Sequence, residues 1–280
     1  MSQISRDRQC LSSFLTLSLA AFGVAVTVGG VMPMAIAQEP MAAVEATLVA
    51  RSPETAPAEL TDWLAALDTA ASGQDLEAVV GYYASNFESD DGVTRQILGR
   101  SLFELWEAFP GLTYKTTLED WTRESGGFVI TATTTITSPD ATDTLQPRLS
   151  ATVTTRQTIR DGAIVSSTVL AEETEIKRGD RPPTVWVRLP ERVRPGDDFN
   201  FDAIVQEPLL DDLLAGAAID EPVTAQGYRS PGNWELETLS AGGLFKVGTA
   251  PNSEGPRWIS AVLVSGDGTT IVTRRLQVER

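Results

Sequence analysis

Apolar residues recur with two different periods along this chain, and the change of period divides it. Leu60, Trp63, Leu64, Leu67 and Ala71 fall at i, i+3, i+4, i+7 and i+11, the spacing of one helix face, and Ser72-Gly73 stops the run. Asp75 opens a second, short helical stripe of Leu76, Val79, Val80 and Tyr83. After a polar stretch at 85–92, a third helix is expected to bury Leu98, Leu102, Leu105, Trp106 and Phe109, with Pro110-Gly111 ending it. From Thr113 the period becomes two, and Thr, Val and Ile dominate. Strands are predicted at 113–121, 128–138, 149–160 and 163–177, and Asp161-Gly162 is a strong hairpin signal between the last two.

Gly179-Asp180-Arg181-Pro182-Pro183 interrupts the sheet, because paired prolines cannot continue a central strand. Beyond it, short strands are predicted at 184–189, 199–205, 234–239, 244–248, 258–264 and 270–278, punctuated by Pro195-Gly196, Gly242-Gly243 and Gly266-Asp267-Gly268. The pattern therefore predicts an α+β domain at 60–179, helices followed by an antiparallel sheet, and an immunoglobulin-like β-sandwich at 184–280.

The first 59 residues fit neither domain. Arg6 and Arg8 precede an apolar run at 11–31, and Met34-Ala35-Ile36-Ala37 supplies a small-x-small cleavage site. Residues 1–37 read as a secretory signal, which places the protein outside the cytoplasm, in the periplasm or beyond. An uncleaved anchor is the competing reading, since the apolar run is long enough to span a bilayer. Residues 38–59, rich in Ala, Pro, Glu and Thr, read as a flexible linker.

Composition narrows the chemistry. Cys10, inside the signal, is the only cysteine, and the chain has no histidine. A mature protein starting at Gln38 then has no disulfide, thiolate ligand or cysteine nucleophile, and it lacks the usual neutral-pH base and most zinc, copper and iron ligand sets. No cofactor is indicated. A net charge of −16 disfavours nucleic acid and anionic lipid as partners.

Residues 60–179 resemble a nuclear transport factor 2-like domain, the cone-shaped fold of SnoaL-like cyclases and ketosteroid isomerases. The resemblance rests on Trp63–Ala71 leading into Asp75-Leu76-Glu77-Ala78-Val79-Val80-Gly81-Tyr82-Tyr83, on Asn86-Phe87 with Asp91-Gly92-Val93-Thr94-Arg95, and on Phe109-Pro110-Gly111-Leu112. It implies a sheet curled around helices and an apolar pocket, for which Trp63, Tyr83, Trp106, Tyr114, Leu118 and Ile130 are candidate lining residues. Family enzymes place an Asp, His or Tyr there, whereas many members are accessory or binding domains. Homodimers through the outer sheet face are also implied by the resemblance.

Strict alternation along 113–121 would put Tyr114, Leu118 and Asp120 on one inward face, where Asp120 becomes a candidate base. On that alternation Trp121 faces the other way; the competing reading of Asp120 is a solvated residue near the end of a hairpin. Tyr82 and Tyr83 offer hydroxyl donors, although a helical stripe accounts for at least one of them. Trp63 and Trp106 lie on stripes that must be buried anyway. Glu88, Asp90 and Asp91 read as charge at a helix start, with calcium as the sharper alternative. The resulting expectation is an exported, non-catalytic protein that binds a partner protein or small apolar ligand. The alternative is an isomerase-like enzyme with a carboxylate base. A purely structural envelope component would instead show a large exposed apolar patch.

Overall fold

The computed structural model describes residues 51–140, 143–208, 213–224, 234–239 and 242–280. The signal segment, Cys10 and the first part of the expected linker lie outside these residues. Helices form where the 3.6-residue stripes occur: α1 (Ala58–Ser72), α2 (Leu76–Gly81) and α3 (Arg95–Ala108). The Asp75 side chain caps α2 by accepting from the Ala78 N–H at 3.0 Å. Thr94, rather than the preceding acidic run, caps α3 by accepting from Ile97 N–H at 3.4 Å. The chain is already structured before α1. Pro53–Thr55 forms one 3-10 turn, and Arg51 pairs with Trp121 through reciprocal backbone bonds of 3.0 and 3.3 Å.

Strands dominate the rest. They are β1 (Tyr83–Ser89), β2 (Thr113–Glu124), β3 (Gly127–Thr137), β4 (Arg148–Arg160), β5 (Ala163–Gly179), β6 (Val185–Arg188), β7 (Arg192–Val193), β8 (Asp198–Val205), β9 (Leu214–Pro222), β10 (Glu237–Leu239), β11 (Gly243–Thr249), β12 (Gly255–Val264) and β13 (Gly268–Val278). In all, 54% of the described residues are in strands and 18% in helices.

That proportion, and the way the strands pair, correct the expected fold. The protein is mainly β, not an α+β cone followed by a separate immunoglobulin-like sandwich. One ten-stranded sheet, in the order β10-β9-β12-β13-β5-β4-β3-β2 with β1 on β5 and β7 on β13, runs through both halves. Strand β5 makes the join. Its first residues pair in parallel with β1 at Ser166 and Ser167, and its last residues pair antiparallel with β13 from Glu173 to Gly179. The remaining strands form a small sheet, β11-β8-β6, which packs on the opposite face of the large one.

Two apolar cores follow from this arrangement. The first lies between α1–α3 and one face of the large sheet, and extends from Leu60 and Phe109 to Trp258, Val262 and Ile271. The second lies between the sheets and centres on Phe201, Leu244, Leu263 and Leu276. Irregularities curve the large sheet around the first core. Register shifts occur between Leu118 and Asp120 on β2, and at two places along the β4–β5 pairing. The β4–β5 turn carries positive φ at both Asp161 (49°) and Gly162 (77°), the two-residue geometry whose twist suits a hairpin.

Candidate functional site

The concave face of β2–β5 and the helices line a partly open cavity of about 140 Å³. Each element contributes the residues its period dictates. From α1 come Leu64, Leu67, Asp68 and Ala71, and from α3 come Leu98 and Leu102. The strands present alternate residues: Tyr114 and Thr116, then Ala132, Thr134 and Ile136, then Val153, Thr155 and Gln157. Strand β1 adds Tyr83, Phe87 and Ser89. The wall is predominantly aliphatic and aromatic, with a few polar groups, as ligand cavities generally are.

Besides Ser89, Thr134, Thr155, Gln157 and Ser167, the polar residues of the wall form two sets. Asp68 is tied down: Thr116 N–H donates to one carboxylate oxygen at 2.6 Å and Thr116 Oγ1–H to the other at 2.7 Å. Four residues along α1, Ser72 Oγ accepts from Tyr114 N–H at 2.9 Å. These bonds satisfy the outward N–H groups of β2, the last strand of the sheet, so α1 caps an edge that would otherwise be open.

The second set is two tyrosines. Tyr114 lines the cavity and its hydroxyl accepts from Trp106 Nε1–H at 2.9 Å. Burial pushes the Tyr114 hydroxyl up to about 12, against a smaller lowering by that hydrogen bond and a further raising by the nearby Tyr83. Burial alone pushes Tyr83 up to about 12 as well, and its ring meets Phe87 edge-on with centroids 4.8 Å apart. Both phenols are therefore neutral donors at physiological pH.

The other expected site residues lie elsewhere. Asp120 is not on the cavity wall, because Glu119 is an extra residue in β2: Leu118 pairs with Ala132 and Asp120 already with Thr131. This bulge reverses the alternation, so Trp121 pairs with Ile130 and is buried at 3% exposure while Asp120 takes the opposite face. The inward aim of Asp120 and the outward aim of Trp121 are both corrected. Trp63 donates its Nε1–H to Gly162 O at 3.0 Å and meets Tyr82 edge-on at 5.1 Å, packing both against the β4–β5 turn rather than the cavity. Trp106 and Ile130 are buried core residues, with Leu118 packed against them. Of the lining candidates, the cavity wall takes Tyr83 and Tyr114.

A second polar assembly went unread in the sequence. Arg275 on β13 has its guanidinium 2.6 Å from Asp91 and 3.7 Å from Glu172, with side-chain exposures of only 3–4%. Glu172 also accepts Trp258 Nε1–H at 3.0 Å. Asp91 belongs to the turn that follows β1, and its neighbour Asp90 pairs with Thr168 and bonds Ser167 O through its backbone N–H at 3.0 Å. The cluster thus fills the point on β5 where β1 leaves and β13 takes over. Asp90 and Asp91 have protein partners, and among the described residues no group of three or more Asp or Glu side chains could hold a metal ion. No helix of the described residues is long and apolar enough to cross a membrane. On the outer face of the small sheet Trp186, Phe245 and Val247 are exposed, interrupted by Arg188, Asn200 and Asp202.

Comparison with known proteins places no activity on this geometry. No curated protein matches the chain. The structure of Bdellovibrio bacteriovorus Bd1075 overlaps with a TM-score of 0.29 at 14% identity, over 40% of this chain and 38% of that one, too little to establish a shared fold. The family that matches is a domain of unknown function (DUF8623), over residues 180–279. Its span lies beyond the residues that suggested a nuclear transport factor 2-like domain, and with the mainly β architecture this overturns that resemblance.

Proposed function

We propose that this protein is an exported, non-catalytic binding protein whose cavity between α1–α3 and the large sheet takes a small apolar ligand. The observation that carries the reading is the cavity itself. At about 140 Å³ it is close to the roughly 150 Å³ of an engineered apolar cavity that admits benzene. Filling it would return to the wall the dispersion contacts that an empty space forfeits.

The chemistry of the wall favours binding over turnover. Its one carboxylate, Asp68, has both oxygens engaged by Thr116, and the two tyrosines hold their protons well above neutral pH. Asp120, on which a carboxylate-base mechanism would have rested, faces away. Export rests on the signal pattern of residues 1–37.

The test is to purify the chain from the cells that make it, extract it with organic solvent, and identify what is released, alongside native mass spectrometry. One small apolar molecule per chain is the expected result. A bare chain that also fails to take up added toluene would overturn the proposal.

A further inference from the structure

The cavity's polar atoms also specify what the ligand must carry. A tyrosine hydroxyl has one proton to donate and two lone pairs to accept with, whereas an indole N–H can only donate. Trp106 Nε1–H already donates to Tyr114 OH, so the Tyr114 proton must be directed elsewhere, and Tyr114 stands on the cavity wall. Tyr83 stands on the same wall and carries a second phenol donor. Tyr83 lies close enough to Tyr114 to raise its pKa further. Both hydroxyl protons therefore face the cavity as donors, and an acceptor placed there can take them.

Charge narrows the class further. No Lys or Arg lines the wall, so an anionic ligand would be buried without a counter-charge. A cation would have to draw Asp68 from the bonds that hold it to Thr116.

Building on the binding reading above, we infer that the ligand is an uncharged molecule of about benzene size bearing a carbonyl or ether oxygen, to which Tyr114 and Tyr83 donate. Trp106 is then a positioning residue, since it touches no ligand but fixes the direction in which Tyr114 donates.

Calorimetric titration of the purified protein with toluene, acetophenone, benzoate and benzylamine tests this. Acetophenone is expected to bind about five- to thirtyfold more tightly than toluene, the range given by one or two net hydrogen bonds. Tyr114→Phe should lower acetophenone affinity more than toluene affinity and so remove most of that preference, and Tyr83→Phe should remove the remainder. Trp106→Phe should weaken acetophenone and not toluene. Thermal unfolding of each variant, with toluene binding as the control for an intact cavity, separates a lost donor from a lost fold. Equal affinities for toluene and acetophenone, or tightest binding of benzoate or benzylamine, would overturn the inference and leave the cavity a binding site. Failure of toluene and acetophenone alike would overturn both readings.

Discussion

Replacing Arg275 with methionine removes a charge that two buried carboxylates share. Asp91 lies 2.6 Å and Glu172 3.7 Å from the guanidinium, and the Arg275 and Asp91 side chains are only 3% and 4% exposed. Methionine fills much of the volume but leaves both carboxylates in a poorly solvated place. Breaking a buried pair in this way costs about 3–5 kcal/mol, because the stranded charge keeps its desolvation penalty. The same replacement at Arg123, paired with Glu59 at 2.8 Å but with both side chains more than half exposed, should cost about 0–1 kcal/mol. Near 2–4 °C per kcal/mol for a domain of this size, Arg275→Met should lower the melting temperature by roughly 6–20 °C and Arg123→Met by at most a few degrees. Scanning calorimetry and urea denaturation measure both. The triple change Asp91→Asn, Glu172→Gln, Arg275→Met should recover part of the loss, since no unpaired charge remains. An Arg275→Met variant no less stable than Arg123→Met would refute a buried, shared charge at this position.

Tyr83 and Tyr114, both raised from 10 to about 12, make stability depend on alkaline pH. A raised folded-state value means the folded chain keeps protons that the unfolded chain has lost, so this contribution is complete below about pH 10 and declines as pH rises from 10 to 12. Denaturation between pH 8 and 11.5 should show that decline, by up to about 2 kcal/mol per tyrosine, and Tyr83→Phe should make it shallower; an unchanged slope contradicts the burial of that hydroxyl. Asp120→Ala should change stability by no more than about 0.5 kcal/mol and leave ligand affinity alone. Asp68→Ala, which strands Thr116, should cost about 1.5–3 kcal/mol in the same urea assay.

The period of the apolar residues located most elements, because it reflects which face of each is buried. It failed where one element hands over to another. Tyr83 continues the stripe of Leu76, Val79 and Val80, so the sequence hides that β1 starts there. Strand β9 has few branched or aromatic residues in Leu-Ala-Gly-Ala-Ala-Ile, and packing requires that: a side chain at Gly216 would meet Val262 O at 2.8 Å. The Glu119 bulge carries no local signature, yet it decides which of Asp120 and Trp121 enters the core. Pairing of β13 with β5 joins residues some ninety apart, which no short-range pattern encodes, and with it went the single continuous sheet and the Asp91–Glu172–Arg275 cluster. Alternation puts Arg275 on the face of Ile271 and Arg274 on that of Val272 and Leu276, and both faces are covered; surface pairing is the use the sequence suggests for Arg275, because nothing local shows the carboxylates that meet it.

A binding protein of this kind must admit a ligand to the cavity. Titration of isotope-labelled protein with toluene, followed by two-dimensional NMR, measures that directly. Shift changes confined to cavity-wall residues such as Ala71, Leu102, Ala132 and Ile136, saturating at one molecule per chain, are the predicted result. Shifts that never saturate, or that gather on the exposed face of Trp186 and Phe245, would contradict it.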